Sequence, residues 1–325
     1  MNFTPIIKPI GGRCNIDCGY CYFKKKKADS HDSMLMSDVT LEALINEFCK
    51  MSDRVEFVWH GGEPMLAGMD FYRKAIEYQS IWVNKGCDVF NSIQTNGLLI
   101  DDEWARFFSE NNFSVGTSLD GPKFFHDKTR IISEERGSFN NVMRAINTLR
   151  KFNIEPSIIC CVSSINCDYP KEIFKFFVSK GIKKVKFLQV QGRNDDGNLL
   201  PFSVDPESYA DFLVGIFNEL LKLDDPSIEI REIESIVNTM MGGDNRECMF
   251  SGECYKYLTV YPDGSIYACD SLPQIESLSF GNIKNGLDAV PLVDNFIRFK
   301  DRMKVLNLKC ISCEWFNVCR GGCPQ

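Results

Sequence analysis

The chain has 325 residues, 44% apolar and 25% charged. Its 37 Lys plus Arg stand against 44 Asp plus Glu, a formal charge of -7 with a pI near 5.2. That balance excludes wholesale disorder and a general nucleic-acid surface, and the length suffices for one large domain with a smaller one.

In chain order, apolar runs predict strands at 4–9, 54–59, 88–94, 113–118, 156–162 and 184–190. Helical periodicity predicts helices near 38–50, 69–82, 102–110, 139–152, 170–179 and 206–222. Ser37 and Ser138 are candidate N-caps, and Asp205 precedes Pro206 as a cap with Pro at the first helical position. Gly181 follows the fifth helix where it should stop. In the sixth, Tyr209, Phe212, Leu213, Ile216, Phe217 and Leu220 form one apolar stripe. Six strand-plus-helix units indicate a mostly parallel α/β sheet, either open and doubly wound or curled into a barrel. Ligands should then gather at the C-terminal strand ends. Three polar segments fall there: Gly61-Gly62-Glu63-Pro64, Gln94-Thr95-Asn96-Gly97 and Ser118-Leu119-Asp120-Gly121-Pro122. No run of 18 apolar residues occurs and the first ten lack a cleavage region, so neither a membrane span nor a secretory signal is expected.

Cysteine is the anomaly, with fifteen against three His. A secreted disulfide scaffold fits a small core and an even count, so these thiols read as metal ligands in a reduced cytoplasm. Three lie at 14, 18 and 21, and seven lie at 248, 254, 269, 310, 313, 319 and 323. This divides the chain into a body, 1–235, and a Cys-rich module, 236–325. Cys49, Cys87, Cys160 and Cys161 sit in periodic segments and read as core thiols, and Cys167 has no partner spacing. The basic run Lys24 to Lys27 reads as a solvated loop or a contact for an anionic partner.

Cys14-x3-Cys18-x2-Cys21 can hold three corners of an iron–sulfur cube and leave one iron open. Zinc is the rival metal, with His31 the nearby candidate for a fourth ligand. The spacing, with Tyr20 in the aromatic position and Gly61-Gly62-Glu63-Pro64 at a strand end, closely resembles the radical S-adenosylmethionine (SAM) signature. The resemblance implies a [4Fe-4S] cluster at Cys14, Cys18 and Cys21 whose free iron is chelated by SAM, and reductive SAM cleavage for hydrogen abstraction. It also implies a partial (β/α)6 TIM-like barrel. Gly61 and Gly62 would let backbone approach the ligand, Glu63 would accept the methionine ammonium and Arg130 would hold the carboxylate. Ser118, like Arg130, would contact SAM, and Gln94 and Asn96 would line the ribose or substrate side; Ser118 and Gln94 equally suit local loop bonding. His60 is expected to touch cofactor or substrate, and His126 and Asp127 to orient Arg130. Asn194, at a position that is apolar in the maturases named below, is set with the cofactor-side residues, its role open.

Cys248-x5-Cys254, Cys269 and Cys310-x2-Cys313-x5-Cys319-x3-Cys323 resemble a SPASM domain, the auxiliary-cluster extension of peptide-modifying radical SAM enzymes. Gly321-Gly322-Cys323-Pro324 and the turn Tyr261-Pro262-Asp263-Gly264 before Cys269 strengthen the likeness. It implies two auxiliary [4Fe-4S] clusters. The first would use Cys248, Cys254, Cys269 and Cys323. The second would use Cys310, Cys313 and Cys319, one Cys short, for which truncation of a longer tail is the expected reason. A zinc ribbon is the rival reading. Asp270, beside Cys269, is expected to be a general base, or else a supporting residue.

The whole chain resembles anaerobic sulfatase maturases and the related radical SAM/SPASM maturases of ribosomal peptides. Because Gln189 to Gly197 departs from the sulfatase pattern, the expectation leans to a peptide maturase forming a cyclophane or thioether crosslink. The alternatives are formylglycine formation on a sulfatase and a non-catalytic iron–sulfur protein. Expected partners are a precursor peptide or sulfatase-like substrate and a one-electron donor such as flavodoxin or ferredoxin, with no nucleic acid and no membrane. The compartment expected is an anaerobic cytoplasm.

Overall fold

The computed structural model describes residues 2–23, 34–133, 136–192, 196–245, 247–272, 274–302, 310 and 312–323. Asn194, His31, Pro324 and the run Lys24 to Lys27 therefore lie outside the described residues.

Six parallel strands form the body: β1 (Thr4–Ile7), β2 (Arg54–Trp59), β3 (Asp88–Thr95), β4 (Phe113–Ser118), β7 (Ser157–Val162) and β8 (Lys184–Gln189). They coincide with the six expected runs. Between β4 and β7 lies a small hairpin, β5 (Ile131–Ser133) with β6 (Arg136–Gly137). The expected helices are α1 (Asp38–Met51), α2 (Met69–Val83), α3 (Asp102–Glu110), α5 (Phe139–Lys151), α6 (Pro170–Ser179) and α7 (Pro206–Leu223). Sequence periodicity missed α4 (Lys123–Thr129), too short to show a repeat, and α8 (Arg231–Met240). The result is an α/β barrel-like core followed by a smaller Cys-rich region.

Alternation along the strands explains the layering. In β2, Val55, Phe57 and Trp59 are buried, and they share one core with Leu41, Leu44 and Phe48 of α1 and Phe71 and Tyr72 of α2. In β7, Ile158, Cys160 and Val162 are buried with Ile173 and Phe177 of α6 and Phe212 and Ile216 of α7. The opposite residues, Ile159 and Cys161, are only partly buried.

With β9 (Glu229–Ile230), β10 (Tyr257–Val260), β11 (Ser265–Tyr267) and β12 (Ser279–Asn282) added, one sheet of ten strands among the described residues runs β12-β11-β10-β1-β2-β3-β4-β7-β8-β9. β10 pairs in parallel with β1, Thr4 opposite Tyr257 and Ile7 opposite Val260. The Cys-rich region thus extends the sheet of the body, and its Leu258, Val260, Ile266 and Phe280 join the same core as α1 and α2. The division expected between 235 and 236 falls inside α8.

Local chemistry follows the caps in two cases. Ser37 accepts from Thr40 N at 3.2 Å, and Asp205 accepts from Ser208 N at 2.9 Å. Ser138 is a correction. Its hydroxyl donates to Arg130 O and meets His126 Nε2, so Asp127 Oδ1 takes the Phe139 N–H at 2.9 Å in its place. Phe217 also departs from the expected stripe and is exposed, because α7 turns a narrower face to the core, centred on Phe212 and Ile216.

Candidate functional site

The loop after β2 is tied to the loop before Cys14. Gly62 N donates to Gly11 O at 3.0 Å and Glu63 N to Arg13 O at 2.8 Å. A Cβ on Gly62 would stand 2.1 Å from Arg13 O, and one on Gly61, at φ +131°, 2.7 Å from Gly11 O. The space that a side chain would need is thus filled by protein backbone. Glu63 is fully buried. Oε1 accepts from Met65 N and Thr95 Oγ1, and Oε2 from Asn96 N at 2.7 Å. Burial pushes its pKa up to about 7 against the pull of those donors. Asn96 in turn donates to Cys14 Sγ at 3.6 Å and Asn15 Oδ1 at 2.7 Å. The Gly-Gly-Glu segment, the end of β3 and the Cys14 loop are therefore one braced unit.

A second unit lies at the ends of β4 and β7. Buried Asp120 accepts from Arg130 Nε at 2.9 Å, from the Tyr20 hydroxyl and from Cys161 N at 3.0 Å. Arg130 Nη1 lies 3.9 Å from Cys18 Sγ and Nη2 3.5 Å from Cys161 Sγ, with the guanidinium over the Tyr20 ring. Cys161 is a correction to its core reading: it faces away from Cys160 and stands beside Arg130. His126 Nδ1 accepts from Asp120 N at 3.2 Å, which makes Nε2 the protonated nitrogen facing Ser138. Gln94 Nε2 bonds Ser118 Oγ at 3.2 Å, and a Cβ on Gly116 would meet Gln94 Oε1 at 2.2 Å. Local bonding thus accounts for one amide hydrogen of Gln94 and one lone pair of the Ser118 hydroxyl.

The third unit joins the body to the Cys-rich region. The hairpin of β10 and β11 turns at Tyr261–Gly264, with Gly264 N donating to Tyr261 O, and delivers Cys269 and Asp270 just after β11. Asp270 Oδ2 accepts from Lys8 Nζ at 2.7 Å and Tyr22 OH at 3.0 Å, and faces His60 Nδ1 at 3.3 Å. Lys8 is fully buried and lies 4.2 Å over the Phe23 ring. Burial opposes ionisation of Asp270, yet the Lys8 charge and His60 outweigh it and hold the carboxyl well below its usual range. Burial likewise pulls Lys8 down from its ordinary value, while Asp270 pulls it up. Lys8 and Tyr22 were missed in the sequence. A lysine closing the apolar run Ile6-Ile7 was the available signal.

Among the described residues, no three His, Cys, Asp or Glu side chains are drawn together closely enough to grip a metal ion. The donor chemistry nonetheless fits iron–sulfur ligation. Burial first, then Cys21, Asp120 and Cys14, push the Cys18 thiol up to about 12 against the pull of Arg130, so these thiols sit within each other's fields. Cys248 feels Cys269 and Cys323, and Cys254 hydrogen-bonds Cys269 and feels Cys323 and Cys248. Cys18, Cys248 and Cys254 resist ionisation, while the hydrogen bond from Cys254 pulls Cys269 down; metal ligation is what deprotonates such crowded thiols. Cys313 N donates to Cys310 O, and Cys319 N to Trp315 O.

The family description "Radical SAM superfamily" matches residues 9–177. The chain belongs to the radical SAM superfamily. Membership makes it an enzyme that binds SAM and a radical-SAM-type iron–sulfur cluster. Within the superfamily it is closely related to anaerobic sulfatase-maturating enzymes. It is 32% identical over 339 residues to a cysteine-type anaerobic sulfatase-maturating enzyme of Clostridium novyi, covering 100% of this chain and 88% of that one. It is 33% identical over 341 residues to a serine-type enzyme of Bacteroides thetaiotaomicron, covering 98% and 82%. The solved structure of native anSMEcpe with bound AdoMet and Cp18Cys peptide superposes with a TM-score of 0.91 at 30% identity, covering 99% of this radical SAM chain and 89% of that one. No described helix of this radical SAM protein is long and apolar enough to cross a membrane.

Proposed function

We propose that this radical SAM enzyme is a sulfatase maturase, oxidising a cysteine or serine of a sulfatase-like polypeptide to formylglycine. The observation that carries the reading is likeness over the whole chain, above 30% identity, to both cysteine- and serine-type maturating enzymes. This reverses the preference for a crosslinking maturase, which rested on the loop 189–197. Residues 193–195 of that loop lie outside the described residues.

Cys14, Cys18 and Cys21 would hold the [4Fe-4S] cluster that binds SAM. Cys248, Cys254, Cys269 and Cys323 would hold one auxiliary cluster, and Cys310, Cys313 and Cys319 a second. When bound, the reduced cluster with SAM supplies hydrogen-atom abstraction. The protein's own groups do the rest. Glu63 Oε2 has one protein donor, which leaves a lone pair to accept the methionine ammonium. Arg130, anchored by Asp120, is assigned to the carboxylate, and Tyr20 supports it. The cluster of Asp270, His60, Lys8 and Tyr22 handles the proton released as the substrate is oxidised. A sulfatase segment is the assigned substrate, and a one-electron donor of flavodoxin or ferredoxin type the assigned partner.

The test is anaerobic reconstitution with SAM, a reductant and peptides bearing a sulfatase Cys or Ser. Trapping an aldehyde with a hydrazine and locating it by mass spectrometry supports the reading. Loss of two hydrogens without an aldehyde would return the assignment to crosslinking.

A further inference from the structure

Resting on the assignment of Cys14 to the SAM-binding cluster, we propose that Asn96 sets how readily that cluster takes its electron, through a hydrogen bond from its side-chain amide to the Cys14 sulfur. Asn96 follows Thr95, the last residue of β3, and is 7% exposed. Its Oδ1 accepts from Leu98 N at 3.0 Å. The oxygen of an amide accepts and its nitrogen donates, so that bond fixes Nδ2 as the atom turned to the cysteine loop. Nδ2 carries two hydrogens and meets two acceptors there, Asn15 Oδ1 at 2.7 Å and Cys14 Sγ at 3.6 Å.

Donor and sulfur are held on one brace. Asn96 N donates to Glu63 Oε2 at 2.7 Å, and Glu63 N donates to the carbonyl of Arg13, the residue before Cys14, at 2.8 Å. Asn15 Oδ1 stands 4.0 Å from Cys14 Sγ. As an acceptor it gives a thiolate no hydrogen, and its part is to orient the Asn96 amide. Cys18 differs from Cys14. Its neighbour Arg130 Nη1 is at 3.9 Å, on a guanidinium anchored through Nε to Asp120.

The physical reason is charge. An N–H dipole aimed at a ligating sulfur favours the more negative, reduced form of a cluster over the oxidised form, and so raises its potential. Burial of the amide keeps water from screening that preference. In the step itself one electron leaves the reductant and one enters the cluster. No bond breaks and no proton moves.

The experiment uses the anaerobically reconstituted holoenzyme without a peptide, so its outcome is independent of the formylglycine reading. Titanium(III) citrate is the reductant, each titanium giving up one electron. The front-cluster signal is first identified by its response to SAM, then followed by electron paramagnetic resonance against solution potential. Asn96→Leu refills the space without a donor. At the midpoint potential of the unaltered enzyme its oxidised-to-reduced ratio should be about tenfold higher, a lowering of about 59 mV for one electron. A midpoint unchanged or raised, at equal iron and sulfide content, overturns the proposal.

A second readout serves even if that variant loads no iron. In unaltered enzyme carrying nitrogen-15 in its asparagine side-chain amides, with no SAM present, pulsed resonance should detect a nitrogen coupled to the reduced front cluster. The coupling should persist in Asn15→Asp, which keeps an acceptor for Asn96 and removes the neighbouring amide. No coupling, or one that disappears with the Asn15 amide, overturns the proposal. Cys14→Ala separates the two layers of the argument. A SAM-responsive cluster signal retained there refutes the cysteine assignment and the proposal together. Its loss there, with the Asn96→Leu midpoint unmoved, refutes the proposal alone.

Discussion

Asp120 shows how one carboxylate can gather the groups of a site. It gathers Arg130, Tyr20 and the Cys161 N–H, and its own backbone is pinned by His126. Asp120→Ala leaves Arg130 buried and unpaired, and should cost about 3–5 kcal/mol in urea unfolding of the anaerobic protein. Replacing Arg130 by Met as well should recover part of that loss. His126 carries a pH signature. Burial, partly offset by Asp120, lowers its pKa from 6.5 to about 4. Between those values the unfolded chain binds the extra proton, so stability rises with pH there. The contribution is complete above about pH 6.5 and is lost as pH falls towards 4, by roughly 3 kcal/mol at most. Unfolding curves across that window should flatten in His126→Gln, and an unchanged slope would refute the assignment.

Elements place these groups through short, checkable devices. Ser37 caps α1, whose Leu41, Leu44 and Phe48 pack behind β2. Ser37→Ala should cost about 1 kcal/mol, read from the shift of the denaturation midpoint. The Gly62 turn is less forgiving. A methyl group there collides with the Arg13 carbonyl, which is backbone and has no rotamer to yield. Gly62→Ala should force the Cys14 loop away from the end of β3. SAM binding measured by equilibrium dialysis should then fall at least tenfold while the far-ultraviolet spectrum is kept. Retained affinity would show that the brace is dispensable.

At the scale of the whole molecule, the sheet does not stop where the cysteine pattern changes. β10 covers the edge of β1, and the Lys8–Asp270 pair locks the two regions together inside the site. Ending the chain after residue 247 would bare the β1 edge and the core side of Ile7, Trp59 and Phe48. The shortened protein should aggregate on expression, because an uncovered strand edge beside apolar surface pairs with other chains. A soluble, folded 1–247 fragment would mean that the Cys-rich region is an independent appendage.

Sequence by itself determined the six strands, six of the helices, the strand-end position of the polar segments and the grouping of the cysteines. Those features are local: alternation, helical periodicity and spacing are written within a few residues of each other. Only the tertiary structure decided which residues share a site. Lys8 and Asp270 are 262 positions apart and meet because β10 happens to lie against β1. Alternation along the strand sets Cys160 and Cys161 on opposite faces, but only the fold showed that the face of Cys161 carries Arg130. The glycines of the Gly-Gly-Glu segment were legible as a close approach, but not as an approach of backbone to backbone. Pairing across the sheet is non-local, so no window along the chain contains it.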